Sequence, residues 1–564
     1  MKASLHHSFL RPLCYQPLLI FPFRKLLSGI LVFKGWNWAL AFIRFFLVIM
    51  PSFGYIHPDE FFQCPEPMAS DICNFTAVRT WEWSSNFPIR NVVFPKIICG
   101  APFALICPLG SWLNLQISPT LLLIAPRLLM LIIVHLLEEV VLSCTEEITH
   151  ILKLKPRRTL VLREDGQVVP VNLSFRHDLT TPKDYDDIVI FLLRSSHVIV
   201  VFMTRTFSTS MEMLCLAIVF SEILSKYSKN PQSGFLGNIF IGHFVALGLF
   251  LRPTFLVYIF YPLLHVCIMA FLILPSKDAF YDLLRFAGAA ATGFVFGTFC
   301  CIVSDYFYFA HSSNMPATSA VTPWNFIRYN TNSDNLNLHG LHRRGLHFAV
   351  NMHLMLGPMY WLLIYILIRL FMDGINSIRV PAERAILYED WKDAIVFNSF
   401  LWISAFLPVL ILSIIPHQEP RFITSVIFPA VLLCGVFLKN NTLSAWFWPF
   451  WLIFNALGIV WYGFLHQAGV VPSVLHMSKV VHERASEEQM NLVFWRTYMI
   501  PQHLLALPQG QHAVTVHDLG GLAENEFQKI VSDLVVTGLK DKKKVCTTVV
   551  TNVTRKFIFG SINL

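Results

Sequence analysis

Residues 36–63 read WNWALAFIRFFLVIMPSFGYIHPDEFFQ, an apolar run over 36–54 that gives way to His57-Pro58-Asp59-Glu60. A helix that crosses hydrocarbon needs about 20 mostly apolar residues, because its backbone must satisfy its own hydrogen bonds there. Residues 36–54 meet that length. Further apolar runs follow at 97–112, 119–143, 187–203, 209–225, 236–251, 254–275, 284–303, 346–371, 394–416, 423–438 and 445–465. Together they predict an all-α polytopic membrane protein with about 9 to 12 crossings. Some runs are short or carry Pro126, Pro253 or Pro408, a pattern shared by broken or re-entrant helices around a cavity.

Composition agrees. Of 564 residues, 55% are hydrophobic and 14% charged, 50 are Phe, and the mean hydropathy is +0.56. An ordinary soluble domain carries about 25% charged residues, so a soluble enzyme, a disordered scaffold and a disulfide-stapled secreted module are all excluded. The 43 Lys+Arg against 35 Asp+Glu give a net +8, but the cations are scattered or flank apolar runs, and no nucleic-acid partner is expected. Of the 12 Cys, Cys215, Cys267, Cys300, Cys301 and Cys434 lie in apolar stretches and act as small hydrophobes. Only Cys64 and Cys73 share a short polar loop, where a bridge between them and two free thiols are both open.

Before residue 36 come Lys2, Arg11, Arg24, Lys25 and Lys34, with no acid until Asp59. Residues 1–35 are therefore expected as a basic cytosolic N-terminus without a removable signal, and 54–96 on the opposite side of the membrane. Residues 144–186, with Lys153, Lys155, Arg157 and Arg158, read as a cytosolic linker, and 304–345 as a second polar loop. The membrane domain is expected over 36–510 and a tail of unknown role over 511–564, outside the packed body. Sequons stand at Asn74, Asn172, Asn440 and Asn552, of which Asn74 is best placed. No internal repeat is visible, which weighs against transporters built from inverted halves.

Pro58 suits the first position of a helix. That puts Asp59 and Glu60 in the first turn, where the positive end of the helix dipole keeps a carboxylate ionised and fit to be a general base. Phe61 and Phe62 are expected to anchor this helix at the membrane interface; the plain alternative is an interfacial loop capped by acids. Arg205, Arg252 and Arg421 sit at or within apolar segments. An Arg there costs at least about 2.5–3.5 kcal/mol, so it pairs with an acid, a carbonyl or an anionic ligand. Guanidinium matches phosphate bidentately, and a structural pair such as Glu419 with Arg421 is the competing explanation. The 304–345 stretch is dense in Asn, His, Tyr and Trp, the groups that recognise sugars. His339, His342 and His347 lack an acid or Cys at a zinc spacing, so polar loop histidines are expected and no metal.

The run from His57 to Gln63 resembles the signature of the dolichol-phosphate-mannose-dependent mannosyltransferases of the endoplasmic reticulum. The surrounding segments are similar to the GPI mannosyltransferase IV group within that family. They are Trp81-Glu82-Trp83, Pro88-Ile89-Arg90 with Phe94-Pro95, Thr204 to Ser208, Arg252 to Phe255, Ser304 to Phe309, Thr322 to Asn330, His339-Gly340 through Asn351, His417 to Phe422, and Asn455 to Gly458 with His466 to Gly469. They occur in order over about residues 50–507. Thr209 and Pro420 depart from the usual pattern, and 144–186 and the stretch beyond about 510 match nothing in it.

The resemblance implies a GT-C-like membrane fold with its catalytic residues on the lumenal side, a dolichyl-phosphate-mannose donor and a GPI precursor glycolipid as acceptor. The reaction implied is inverting transfer, in α-1,2 linkage, of a fourth mannose onto the third. A single base then suffices, assigned to Asp59 with Glu60 as helper or runner-up. His57, Arg205, Arg252, Arg343, Arg344, His417, Glu419 and Arg421 are the expected contacts for donor phosphate and substrate. Trp81, Glu82, Asp305, Asn325, Tyr329, Asn330 and His339 are expected to face the acceptor sugar. No cofactor is expected, since the donor is a lipid phosphate and the chain has neither a phosphate-cradling Gly loop nor a DxD pair. A sibling transferase acting on dolichol-linked oligosaccharide is the closest alternative, and a polytopic transporter a more distant one.

Overall fold

A computed structural model describes residues 35–153, 160–162, 168–170, 182–227, 234–273, 276–310, 321–332, 334–335, 340–378, 384–439, 444–484, 489–511, 513–540, 545–551 and 560–563. The basic segment 1–34, His339 and the sequons at Asn172, Asn440 and Asn552 lie outside the described residues.

The body is a bundle of apolar helices. Among the described residues, Pro119–Ile151, Ser208–Lys226, Phe280–Phe309, Pro420–Leu438 and Trp446–Arg484 are long and apolar enough to cross a bilayer. The bent pair His347–Leu356 and Pro358–Arg369 and the shorter helices Trp38–Ile49, Phe235–Leu251, Phe255–Phe271 and Asn398–Leu412 join them. The protein is a multi-pass membrane protein. Close helix packing uses small residues, as lipid-embedded bundles do: a Cβ on Gly242 would lie 1.8 Å from the Ala290 carbonyl oxygen, and one on Gly293 1.9 Å from that of Ile239. These two glycines let Phe235–Leu251 lie against Ser276–Ala310.

Adjacent spans run antiparallel and are pinned by ions. Glu138 in Pro119–Lys153 meets Arg44 at 2.6 Å and Arg194 at 3.0 Å, while Arg127, earlier in the same helix, reaches Glu60 at 2.7 Å and the Ser52 carbonyl at 3.2 Å. The first turns of that helix therefore share a membrane face with residues 52–60, called the loop face below.

The expected crossing at 97–112 is corrected. The segment is helical from Val93 to Trp112 and passes for a span by length and hydropathy. However, Cys99 is bonded to Cys64 and Cys107 to Cys73, so it is stapled along the short helix Pro65–Cys73 on the loop face. After Trp112 the chain begins the next helix at Pro119, still on that face. Residues 113–118 reach at most about 20 Å, short of the roughly 30 Å of hydrocarbon a crossing would require them to retrace. The helix stays on the loop face, with Ile98, Phe103 and Cys107 buried and Ile97, Leu105, Leu109 and Trp112 exposed. The same disulfides correct the Cys64–Cys73 alternative: both residues are oxidised, to other partners.

Three further boundaries move. The stretch 304–345 is not all loop: Ser276–Ala310 carries its helix through residue 310, and Thr322–Asn330 is a helix of its own. Its polar side chains read as loop because they turn inward to partners. In 144–186, helices run to Lys153 and restart at Pro182, and strands β1 (Leu160–Leu162) and β2 (Val168–Pro170) pair antiparallel between them.

The tail belongs to a folded lobe. Strands β3 (Gln489–Trp495), β4 (Val514–Asp518), β5 (Val545–Thr551) and β6 (Gly560–Asn563) form a sheet in the order β4-β3-β5-β6, with helix Glu524–Lys540 between β4 and β5. Strand β3 pairs parallel with both β4 and β5, and Leu492, Val493 and Phe494 are fully buried. The lobe is tied to the loop face, where Phe75 bridges Pro508 and the Gln509 amide donates to the Asn74 carbonyl at 2.9 Å.

Candidate active site

The segment Gly54–Tyr55 is held extended by amide bonds to the carbonyls of Gly463 (2.7 Å) and His466 (2.8 Å), and the Tyr55 hydroxyl donates to the Met499 carbonyl at 2.8 Å. Pro58 then has helical torsions, and Asp59–Phe62 forms one turn. Consecutive helical residues point about 100° apart, so the neighbouring acids serve different neighbourhoods: the Asp59 side chain keeps 19% of its surface accessible and Glu60 keeps 1%. Phe61 and Phe62 are not interfacial anchors but core residues. Phe61 packs edge-on against Tyr55 with ring centres 5.0 Å apart, and the Trp83 indole donates to the Phe62 carbonyl at 2.9 Å.

Glu60 is the hub of a buried cluster. Its carboxylate accepts from Arg127 at 2.7 Å and from Arg205 at 3.0 and 3.1 Å, while both guanidiniums also donate to the Ser52 carbonyl. Arg205, expected at the donor phosphate, is thereby committed to Glu60 and Ser52, and with the Thr206 hydroxyl donating to the Glu60 carbonyl the cluster locks the Thr204–Ser208 turn against Glu60.

Asp59 opens into a second, semi-exposed cluster. It pairs with Arg421, from the turn after Glu419, accepts from the Gln63 amide four residues on, and faces His57 Nδ1 at 3.1 Å. Arg421 also binds Glu419, which takes His417 Nε2 at 2.9 Å and lies 3.8 Å from His57 Nε2. Gln63 reaches on to Glu82 at 3.3 Å, and Arg90 binds Glu82 at 2.6 and 3.1 Å. Burial alone would raise the Asp59 pKa, but the charges of Arg421 and His57 outweigh it and hold the carboxyl well below the usual range. Glu419 is likewise depressed against its burial, by Arg421 and His417. His417 is raised: its bond to Glu419 and that of Nδ1 to the Gly340 carbonyl overcome the burial that would lower it.

Arg252 stands 3.7 Å from Glu212 and lies over the Phe422 ring at 5.0 Å, with Arg421 at 5.4 Å from the same ring. Two guanidiniums thus flank one aromatic beside Asp59. Arg343 and Arg344 are exposed on the loop that docks through the His342 amide onto the Pro416 carbonyl. His342 Nδ1 accepts from the Gln418 amide and His347 is buried against Asn351, so these two histidines serve loop docking.

The acceptor-side candidates divide. Asp305 is fully buried and accepts from Asn91, the Val92 amide and Thr322, each at 2.9 Å; Asn325 donates to the Pro88 carbonyl at 2.9 Å. These two knit residues 88–92 to helix Thr322–Asn330. Asn330 bonds back to the Phe326 carbonyl. Trp81 stacks on Tyr329 with centres 4.3 Å apart and is 45% exposed. Gln63, Arg90 and Arg127 were not among the expected site residues. Gln63 could have been found from its helical i, i+4 spacing to Asp59, and Arg127 from being a cation in an apolar run, the signal that picked out Arg205. Arg90 carries no comparable local signal.

The sequence profile described as the Alg9-like mannosyltransferase family matches residues 36–506. The chain is 32% identical to the GPI alpha-1,2-mannosyltransferase 4 of Homo sapiens, over 92% of this chain and 83% of that one. It is 27% identical to the GPI mannosyltransferase 4 of Schizosaccharomyces pombe, over 86% and 79%. Among solved structures it is similar to ArnT from Cupriavidus metallidurans bound to undecaprenyl phosphate, with a TM-score of 0.46 and 12% identity over 93% of each chain.

Proposed function

The chain belongs to the Alg9-like mannosyltransferase family, and from that premise we propose a mannosyltransferase of GPI synthesis that works on the lumenal face of the endoplasmic reticulum. The donor is dolichyl-phosphate-mannose, and the product is an α-1,2-linked fourth mannose on the third mannose of the precursor glycan. The observation that carries this reading is Asp59: a carboxylate kept ionised, partly open, at a membrane face, and paired with Arg421 from a distant part of the chain. Two disulfides on the same face fit an oxidising lumen.

In this mechanism Asp59 takes the proton of the acceptor hydroxyl while that oxygen attacks the anomeric carbon from the side opposite the phosphate. The bond from that carbon to the phosphate oxygen breaks with its electron pair going to the phosphate, so the β-linked donor gives an α-linked product. The departing dolichyl phosphate gains negative charge, which Arg421 and Arg252, each within 5.4 Å of the Phe422 ring centre, are placed to stabilise. Arg421 then exchanges part of its hold on Asp59 for the phosphate, and the carboxylate is freed as a base. Glu60 has a structural part.

The test is transfer to a three-mannose GPI precursor in membranes supplied with the donor. Asp59→Asn should abolish the four-mannose product at normal folded yield. Glu60→Gln should instead lower folded yield, because it strands two buried guanidiniums at a cost of about 3–5 kcal/mol. Wild-type transfer by Asp59→Asn, or product only on a dolichol-linked oligosaccharide offered in parallel, would overturn the reading.

A further inference from the structure

We infer that Glu212, a residue outside the expected site, is the positioning residue of Arg252: it holds that guanidinium by its Nε edge, so that the two Nη nitrogens are presented to the departing phosphate. This deepens the proposed function and rests on it. Glu212 lies near the start of helix Ser208–Tyr227, inside a segment apolar enough to cross the bilayer, and its side chain is 1% exposed. An ionisable side chain inside such a segment is costly to keep and marks a functional site by default. Glu212 is also held differently from Glu60. Glu60 meets guanidiniums at 2.7 and 3.0 Å, whereas one oxygen of Glu212 stands 3.7 Å from Arg252 Nε and the other has no hydrogen-bond partner among the described residues.

The cations around the site spend their donors differently. Arg127 and Arg205 direct theirs to Glu60 and the Ser52 carbonyl, and Arg421 divides its own between Asp59 and Glu419. Arg252 uses one nitrogen for both of its polar side-chain contacts: Nε lies 3.7 Å from Glu212 and 3.4 Å from the Thr254 hydroxyl. A guanidinium has two edges that can grip a phosphate bidentately, and with Nε turned to Glu212 the outer edge remains for the ligand. The Arg252 backbone is fixed, because its amide donates to the Gly248 carbonyl at 2.9 Å and its carbonyl accepts from the Phe255 amide at 2.9 Å. The Phe422 ring, 5.0 Å from the guanidinium carbon, is fixed too, since the Tyr258 hydroxyl donates to the Phe422 carbonyl. What freedom remains is rotation of the guanidinium, and the Glu212 charge sets it. Helix Ser208–Tyr227 starts at the turn where the Thr206 hydroxyl donates to the Glu60 carbonyl at 2.5 Å, so the carboxylate that orients Arg252 is tied to the turn that carries Asp59. The donor phosphodiester has one negative charge and takes up a second as its bond to the anomeric carbon breaks. An oriented Arg252 therefore counts for more in the transition state than in the bound donor.

The experiment measures initial rates, per mole of folded full-length protein, with radiolabelled dolichyl-phosphate-mannose and a three-mannose GPI precursor, varying each in turn. Glu212→Gln keeps the shape and removes the charge. It should lower kcat by at least about tenfold, with both KM values within about threefold of wild type, as for a contact made chiefly in the transition state. Arg252→Gln should lower kcat at least as much, and adding Glu212→Gln to it should cost nothing more, because Glu212 acts through Arg252. Wild-type kcat in Glu212→Gln would overturn the inference. So would an equal further loss in the Arg252→Gln background, which is what a merely structural Glu212 gives; in both cases wild-type transfer leaves the proposed function standing. If Glu212→Gln fails to fold because it strands the Arg252 charge, the double substitution, which removes both charges, is compared with Arg252→Gln: equal kcat supports the inference and a further loss overturns it. A wild-type protein that does not mannosylate this acceptor overturns the function and the positioning role together.

Discussion

Asp59 and Glu60 are chemically alike and adjacent, and a one-residue step around a helical turn gives them separate duties. Read from sequence alone, Asp59 is the base and Glu60 has a helping part in the chemistry; that Glu60 is instead a buried anchor depends on which cations arrive from residues 127, 205 and 421. Charge pairing also sets the pH behaviour. The folded pKa of His417 is raised, so the stability from its bond to Glu419 is present below the unfolded value of about 6.5 and is lost as pH rises through the folded one. Asp59 is depressed, so its pairing with Arg421 persists above the unfolded value and fails only as pH falls through the folded one. The thermal midpoint in detergent should therefore decline as pH is raised from about 6.5 through the mildly alkaline range, and His417→Ala should flatten that decline. An identical slope in the variant would show that His417 is not the group responsible.

At the level of elements, the helix Val93–Trp112 shows what hydropathy can and cannot deliver. Its residues are mostly apolar, with Lys96 its one charge, and length and composition alone make it a span. What keeps it on the loop face is a pair of covalent ties between cysteines that sequence spacing could not match to one another, plus the short return to Pro119. Helix Thr322–Asn330 and the end of Ser276–Ala310 failed in the opposite sense: Asp305, Asn325 and Thr322 look like loop residues until their buried partners are known. Each disulfide closes a loop of about 35 residues. By chain entropy it contributes about 4 kcal/mol. Replacing Cys73 and Cys107 together by Ser should lower the thermal midpoint by several degrees and open residues 113–118 to protease. A variant as stable and as resistant as wild type would mean that packing of Phe103 and its neighbours suffices by itself.

Taken whole, the membrane body was largely legible, because the lipid requirement for long apolar helices leaves a strong mark in the sequence. The terminal lobe was not. Strand β3 lies before the expected boundary at residue 510 while its partners lie after it, and parallel pairing over such separations leaves no local pattern. Since the lobe bridges Phe75 through Pro508 and engages Glu66 through His503 at 2.8 Å, the C-terminus shares the membrane face of Asp59. If that face is lumenal, as proposed, a tag following β6 should be shielded from protease added to sealed microsomes and cut once detergent is present; cleavage without detergent would contradict the proposed orientation. The carboxylates of Glu60 and Glu138 have a mechanical corollary. By fastening the spans that carry Arg44, Arg127, Arg194 and Arg205 near both the rim and the middle of the bilayer, they weld one flank of the molecule into a slab unable to splay. Next to the His197 end of that slab, through Phe454, Gly357 at φ +51 leaves no room for a Cβ, which would strike the Phe454 ring at 2.4 Å, and the helices on either side of it diverge by 117° beside an aromatic-lined groove of about 600 Å³.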